Sequence, residues 1–389
     1  MSLRGSAAIV GIGELPPLVD ARGKTVLGMA AQVTAQALSD AGLNIGDIDG
    51  VLVAPDTIQS SLMWGGLVAE YLGIRPHYVD VVDLGGATAA GMVWRAAAAI
   101  KAGMCNSVLC LTSDLWDVEK FYANFIPRLS MEAQFELPYG PMGANSGYAL
   151  IARRHMHLYG TTPSQLAKVA VDQRVNACLN PDALYYNKPI TIEDVLSSPL
   201  IVDPLHLLEI VKPCSGAGAL IITARERAAD CRSAPVHILG AGEYITHTSI
   251  VYSPEITISP IKESTRRAFA MAGLTPNDMD LVSLYDCYTI TVIVSLEDAG
   301  FCEKGEGGPF VEQTDLTWRG KLPCNTHGGQ LSWGQPGLAG GMSHITEAVR
   351  QLRGICGDRQ VVNARVALVN GNGGIMSDQS TLILGREVY

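Results

Sequence analysis

The chain has 389 residues, enough for two core-bearing domains or one large duplicated one, and 48% of them are hydrophobic against 17% charged, as in a compact globular protein. A formal net charge of −10 argues against a nucleic-acid surface, which needs clustered Lys and Arg, but leaves room for a locally bound anion such as a coenzyme A ester. No stretch approaches the roughly 20 apolar residues of a membrane span, and MSLRGSAAIVGIGELPP at the N-terminus is too short an apolar run for a secretory leader.

That N-terminal run reads instead as a first buried strand. Next, Ala37 to Val53 (ALSDAGLNIGDIDGVLV) predicts a helix closed by Gly42, a turn and a strand. Ala268 to Leu284 (AFAMAGLTPNDMDLVSL) repeats the pattern without gaps: A-x3-AGL-x3-D-x-D, with the helix closed by Gly273. A second pair of segments follows in the same order. Gly85 to Gly103 is a glycine-rich entry into an alanine-rich helix, and Gly340 to Gly354 does the same later; strands follow at Ser107 to Thr112 and Val361 to Asn370. Strand and helix recurring in this way predict two α/β halves related by duplication.

Residues from about Ser113 to Leu205 break the rhythm. They hold Trp116, Phe121, Tyr122, Phe125 and Pro127, then TTPSQLAKVAVDQRVNA, with the Thr/Ser start and apolar spacing of a helix. This reads as an inserted loop subdomain, the usual place for substrate specificity. The nine cysteines form no CxxC pair, and their odd number fits reduced thiols in a cytoplasmic compartment. The histidines show no metal-ligand spacing, and the ends of HMH at His155 to His157 would point apart on a helix. No metal site is expected.

Four runs carry a family resemblance: AIVGIGE at Ala8 to Glu14, YGTTPSQLAKVAVDQRVNACLNP at Tyr159 to Pro181, YDCYT at Tyr285 to Thr289, and GGQLSWGQPGLAGG at Gly328 to Gly341. Over nearly the whole chain the sequence resembles thiolases of the sterol-carrier-protein-x group. The last run matches that group's GG-x-x-S-x-GHP-x-G-x-x-G. The resemblance implies the thiolase fold, a duplicated five-layered α-β-α-β-α architecture. Its N-terminal half would be 1-235, with the insertion at about 113-205, and its C-terminal half 236-389. It also implies a homodimer, an acyl-CoA substrate with no further cofactor, and a small OB-fold zinc-ribbon partner supplied as a separate chain.

A thiolase of this group uses a cysteine at a helix N-terminus, where the dipole lowers the thiol pKa, a histidine to activate it, and a second cysteine for the α-carbon proton. Here Gly86 matches the nucleophile, followed by Ala87, Thr88 and Ala89. The histidine of GHP is Gln335, and the second cysteine's loop reads NGNGG from Asn370 to Gly374. Glutamine and asparagine hydrogen-bond but cannot act as bases near pH 7. Cys105 and Cys110 lie past the helix and read as core residues. Classical thiolysis is therefore not expected.

Tyr285 takes the position of histidine in the group's HDCF motif, which resembles the steroid side-chain aldolases that also lack the cysteine. A retro-aldol cleavage of a 3-hydroxyacyl-CoA needs a base for the hydroxyl proton and an oxyanion hole for the thioester enolate, but no covalent intermediate. The resemblance implies a second tyrosine at Gln335, so His327 is the remaining candidate for a relay, since histidine titrates in the useful range. Tyr285, His327 and Gln335 are the catalytic candidates. Gly86, Thr88, Asp286, Asn372 and Gly373 are the candidates for the oxyanion site and pocket, with Asp286 orienting its neighbours and Tyr288 and Trp333 packing nearby. Asn370 to Gly374 either present amide groups or make a tight turn. Two other functions stay open: a conventional acetyl-CoA acetyltransferase or 3-ketoacyl-CoA thiolase, and a non-catalytic acyl-CoA-binding scaffold.

Overall fold

The computed structural model of the chain describes residues 2–58, 61–117, 131–140 and 143–388. Phe121, Tyr122, Phe125 and Pro127 of the expected insertion lie outside the described residues. The strands of the large sheet are β1 (Ala7–Glu14), β2 (Gly50–Val53), β3 (Tyr78–Val81), β4 (Ser107–Asp114), β5 (Gly216–Ala224), β6 (Val236–Ile245), β7 (Leu281–Leu284), β8 (Val366–Gly373) and β9 (Asp378–Gly385). They run side by side as β3-β2-β4-β5-β1-β6-β9-β8-β7.

Apart from the edge strand β3, the order is a mirror of itself. β2-β4-β5-β1 answers β7-β8-β9-β6, with β2/β4 and β7/β8 parallel and the remaining neighbours antiparallel. The halves meet where β1 touches β6, at Ala8 with His237 and Ile9 with Val236.

The repeated sequence has a packing reason. Helix α1 (Val26–Ala41) ends at Gly42, with φ 71°, and α6 (Ile261–Ala272) ends at Gly273, with φ 67°. Between these two helices in the chain lie α2 (Trp64–Leu72), α3 (Thr88–Lys101), α4 (Gly143–Tyr159) and α5 (Pro163–Cys178). A Cβ on Gly11 of β1 would stand 2.3 Å from the Ala37 carbonyl oxygen, and one on Gly240 of β6 2.1 Å from that of Ala268. IVGIGE at Ile9 to Glu14 and ILGAGE at Ile238 to Glu243 are thus the same device: glycines that let a helix backbone rest directly on a strand.

After α6 come α7 (Thr289–Asp298) and α8 (Gly340–Arg353). Val108 and Cys110 of β4 and Leu382 and Leu384 of β9 share a core with Met92 and Val93 of α3 and Ile345 and Val349 of α8. The alternate residues point the other way, Leu109 and Leu111 to α1 and Leu368 and Ile383 to α6 and α7, as the two-residue period of strands requires. The resulting layers are α1, first half-sheet, α3 with α8, second half-sheet, and α6 with α7. This is the five-layered arrangement expected from the sequence.

Within the inserted region, α5 starts on a capping box between Thr162 and Gln165, with Pro163 in its first turn. Cys105 and Cys110 are both buried and join the central core. No helix among the described residues is long and apolar enough to cross a membrane. No metal-holding group of His, Cys, Asp or Glu occurs among them.

Candidate active site

Four segments converge between the half-sheets: the entry to α3 at Gly85 and Gly86, the end of β7 at Tyr285 and Asp286, the turn from His327 to Gly337, and the end of β8 at Asn370 to Gly374. The approach is close. A Cβ on Gly86 would stand 2.3 Å from Cζ of Tyr285, 2.5 Å from its hydroxyl oxygen and 2.4 Å from the Asn372 carbonyl oxygen. A Cβ on Gly341, at the start of α8, would stand 2.5 Å from the Gly86 carbonyl oxygen. Gly86 therefore has no room for a side chain, and the phenol of Tyr285 fills the space that one would take.

Tyr285 is 5% exposed and follows the last residue of β7, its N–H donating to the Asn370 carbonyl at 3.1 Å. The Gln335 amide Nε2 donates to the Tyr285 hydroxyl at 2.8 Å and to the Gly337 carbonyl at 2.9 Å. Burial, reinforced by Cys287 beside it, pushes the Tyr285 pKa well above the usual phenol value despite that hydrogen bond. The phenol is consequently protonated at neutral pH.

Asp286 is fully buried. Its carboxylate accepts from the Gln330 and Leu331 backbone N–H groups at 2.7 and 3.0 Å, fixing the helical turn Gly329–Ser332. His344 Nε2 lies 3.3 Å from the same carboxylate, and its Nδ1 pairs with Ser283 Oγ at 2.9 Å. Burial raises the Asp286 pKa against these favourable contacts. Asp286 thus positions backbone and imidazole, as its place in the motif suggests.

His327 is 2% exposed; its Nε2 meets Ser343 Oγ at 3.3 Å and its Nδ1 has no hydrogen-bond partner among the described residues. Its ring lies 5.1 Å from that of His344, whose own ring is 5.9 Å from Tyr285. Burial, then the neighbouring His344, holds the His327 pKa well below the usual imidazole value. The neutral ring hydrogen-bonds to α8 rather than to the Tyr285 hydroxyl. Trp333 packs against it, with the ring centroids 6.0 Å apart.

The other pocket candidates are engaged locally. Thr88 is fully buried and its Oγ1 accepts from the Leu84 N–H at 2.9 Å, shaping the loop before α3. The Asn372 side chain donates to the Tyr148 hydroxyl at 2.8 Å and reaches Cys287 Sγ at 3.8 Å, while its oxygen accepts from Gln379 at 2.7 Å. Gly373 sits where a Cβ would meet the Leu84 carbonyl oxygen at 2.0 Å. Tyr288 stacks on Tyr148, with centroids 4.2 Å apart.

Three participants escaped sequence reasoning. Tyr148 sits on α4, buried, and donates its hydroxyl to the Gly374 carbonyl at 2.8 Å. His344 sits one turn into α8. Gln330 occupies a variable position of the glycine motif, and no residue type there advertises a role. Cys287, inside YDCY, is a thiol at the site, but burial pushes its pKa up to about 12. It is not a thiolate at neutral pH.

A thiolase C-terminal domain-like family model matches residues 242–386. A steroid side-chain-cleaving aldolase of Thermomonospora curvata is 34% identical, with the alignment covering 99% of each chain. A 17-hydroxy-3-oxo-4-pregnene-20-carboxyl-CoA lyase of Mycobacterium tuberculosis is 35% identical, over 98% of this chain and 100% of that one. The chain belongs to the thiolase superfamily, alongside the side-chain-cleaving aldolases. Among solved structures, an Ltp2-ChsH2(DUF35) aldolase superposes with a TM-score of 0.88 at 35% identity, covering 98% of both chains.

Proposed function

We propose that the chain is an acyl-CoA lyase that cleaves a 3-hydroxyacyl-CoA by a retro-aldol step, with Tyr285 as the proton-transfer group. The observation that carries the reading is the Tyr285 phenol lying where a Cβ on Gly86, the residue in register with the thiolase cysteine by sequence resemblance, would stand. The names of the two aligned relatives support it, and they point to a substrate whose hydroxyl sits on a ring carbon, as in a sterol-derived ester.

The reaction balances without water or a cofactor. The hydroxyl loses its proton, the Cα–Cβ bond breaks, a ketone forms, and the electron pair becomes the enolate of the shortened acyl-CoA. A proton then returns to the α-carbon. A neutral phenol suits a relay, taking the hydroxyl proton as it gives its own to the α-carbon of the enolate. The coenzyme A ester is substrate, and no other cofactor is needed.

Acyl transfer through cysteine fits poorly, because Gly86 cannot accept a side chain and the Cys287 thiol is held protonated. The experiment is to incubate the protein with hydroxycyclopentyl-propanoyl-CoA and follow cyclopentanone and propanoyl-CoA. In parallel, intact mass is recorded after incubation with 3-ketoacyl-CoA esters. Release of both products with no adduct supports the reading, and an acyl-cysteine adduct overturns it.

Two associations belong to the same proposal. The relative whose structure is named as a complex with a DUF35 protein supports a small separate partner, for which an OB-fold zinc-ribbon chain is the expected type. A homodimer would use the open edge of β3, where Val79 and Val81 lie beside Leu62, Met63, Leu67 and Tyr71, all exposed. An unpaired strand edge is a template for pairing with a second copy. A soluble, cytoplasmic enzyme is the location proposed.

A further inference from the structure

Next to Tyr285 the structure leaves amide atoms without partners. Gln330 is fully buried, and both its Nε2 and its Oε1 lack a hydrogen-bond partner among the described residues. Gln335 uses its Nε2 on Tyr285 and Gly337, while its Oε1 is buried and unpaired. A buried amide left unsatisfied is destabilising, so such atoms call for an occupant.

The two side chains come together beside Gly340. A Cβ on Gly340 would stand 2.8 Å from Gln330 Oε1 and 2.9 Å from Gln335 Nε2. Gly340 has an ordinary helical φ of −57°, so its backbone does not demand glycine. What glycine does there is let both amides approach, since a Cβ would be tighter than van der Waals contact with each. Gln330 also turns its amide toward the Tyr285 hydroxyl, an approach that favours ionisation of the phenol without completing a hydrogen bond of good geometry. Gly86, Gln335 and Gly337 around it are only partly buried.

We propose that Gln330 and Gln335 form an amide subsite that grips the reacting oxygen of the substrate against Tyr285. This rests on the retro-aldol reading and extends it. The chemistry fits both ends of the step. The oxygen enters as a hydroxyl that turns its proton to Tyr285 and accepts from the Gln330 N–H, and it leaves as a ketone that still accepts from that N–H. Gln330 is thus a binding residue for the cleaved alcohol and sets the preference for hydroxylated over plain acyl-CoA esters.

The test compares Gln330→Leu and Gln330→Met with the wild-type protein. Calorimetry measures affinity for hydroxycyclopentyl-propanoyl-CoA and for cyclopentyl-propanoyl-CoA, its counterpart without the hydroxyl. The wild type should favour the hydroxylated ester by about tenfold or more, and the variants should lose that preference. Their kcat/KM for ketone release should fall by about 10- to 100-fold, while melting temperature holds or rises because an unpaired amide has gone. Retained preference in a folded variant, no preference or no binding in the wild type, or failure of both variants to fold would each overturn the subsite. Because binding is read apart from turnover, the two ideas separate. A wild type that prefers the hydroxyl but releases no ketone, with variants that lose the preference, keeps the subsite and discards retro-aldol cleavage. Normal turnover in a folded Gln330→Leu protein does the reverse.

Discussion

The hydroxyl oxygen of Tyr285 stands 2.5 Å from the point where a Cβ on Gly86 would lie. Two residues almost 200 positions apart, one in each half of the duplication, therefore compete for one space. A side chain at the entry to α3 and the phenol at the end of β7 cannot both fit there. A cysteine placed at Gly86 alone would clash with the phenol.

Gly86→Ala should accordingly destabilise the protein by about 1–3 kcal/mol, the usual cost of overpacking. Combining it with Tyr285→Ala should cost less than the sum of the two single changes, with a coupling of about 1 kcal/mol or more. Part of the Gly86→Ala penalty should survive in the double variant, because the Asn372 carbonyl is a backbone obstacle at 2.4 Å. Urea denaturation of the four proteins measures the cycle; strict additivity would show that the two sites do not crowd one another.

Tyr285→Phe keeps the ring and removes only the hydroxyl, and Gln335 retains the Gly337 carbonyl as its partner. The melting temperature should change little, while kcat for ketone release falls about 10²- to 10⁴-fold with substrate affinity nearly unchanged. Because burial holds the phenol pKa above its ordinary value, the wild-type rate should not climb with tyrosine ionisation as pH rises from neutrality toward 9. A tenfold rise per pH unit across that range would instead mark a phenolate base.

The sequence made the framework legible because its constraints are local and repeated. The helix-closing glycines Gly42 and Gly273 and the strands after them signal through turn chemistry and periodicity, which one sequence displays. Gly86 drew notice in the same way, through the motif around it. What the sequence could not display is which buried polar groups find partners. His327 and Asn372 have the right chemistry in the right motifs, yet one is bonded to Ser343 and the other is held by Tyr148 and Gln379. Tyr148 arrives from the insertion, more than 130 residues before Tyr285, and no spacing rule links them. Gln330 matters through the absence of a hydrogen-bond partner, a property with no signature in residue type.

Asp286→Asn should be more damaging than its near-isosteric character suggests. The carboxylate accepts two backbone N–H bonds at the start of the Gly329–Ser332 turn and faces His344. An amide must turn its NH2 group toward one of these donors or toward the imidazole. We expect a loss of about 3 kcal/mol, in the range for breaking a buried charged interaction, and a fall in kcat as the turn carrying Gln330 shifts. Thermal denaturation and the ketone assay, run on the same preparation, check both; an unchanged melting temperature would remove Asp286 as the organiser of the turn.

Asp378 supplies a pH test beside the site, since it pairs with Gly373 across the β8/β9 ladder. It is 6% exposed, and its Oδ1 has no hydrogen-bond partner among the described residues. Burial, followed by repulsion from Glu243, raises its pKa from 3.8 to about 7, and Arg95 only partly offsets this. Arg95 is itself committed to Glu243 at 2.6 and 2.9 Å. The folded pKa exceeds the unfolded one, so the protonated acid is the form that folding prefers. Its favourable contribution is complete below the unfolded value and fades as pH rises through the folded value. Asp378→Asn removes that dependence, so its melting temperature should match the wild type near about pH 4 and exceed it by several degrees near about pH 8. A variant equally stable to wild type at both pH values would show that Asp378 ionises freely in the folded chain. A variant less stable at the higher pH would show that its carboxylate is stabilised there by a partner cation.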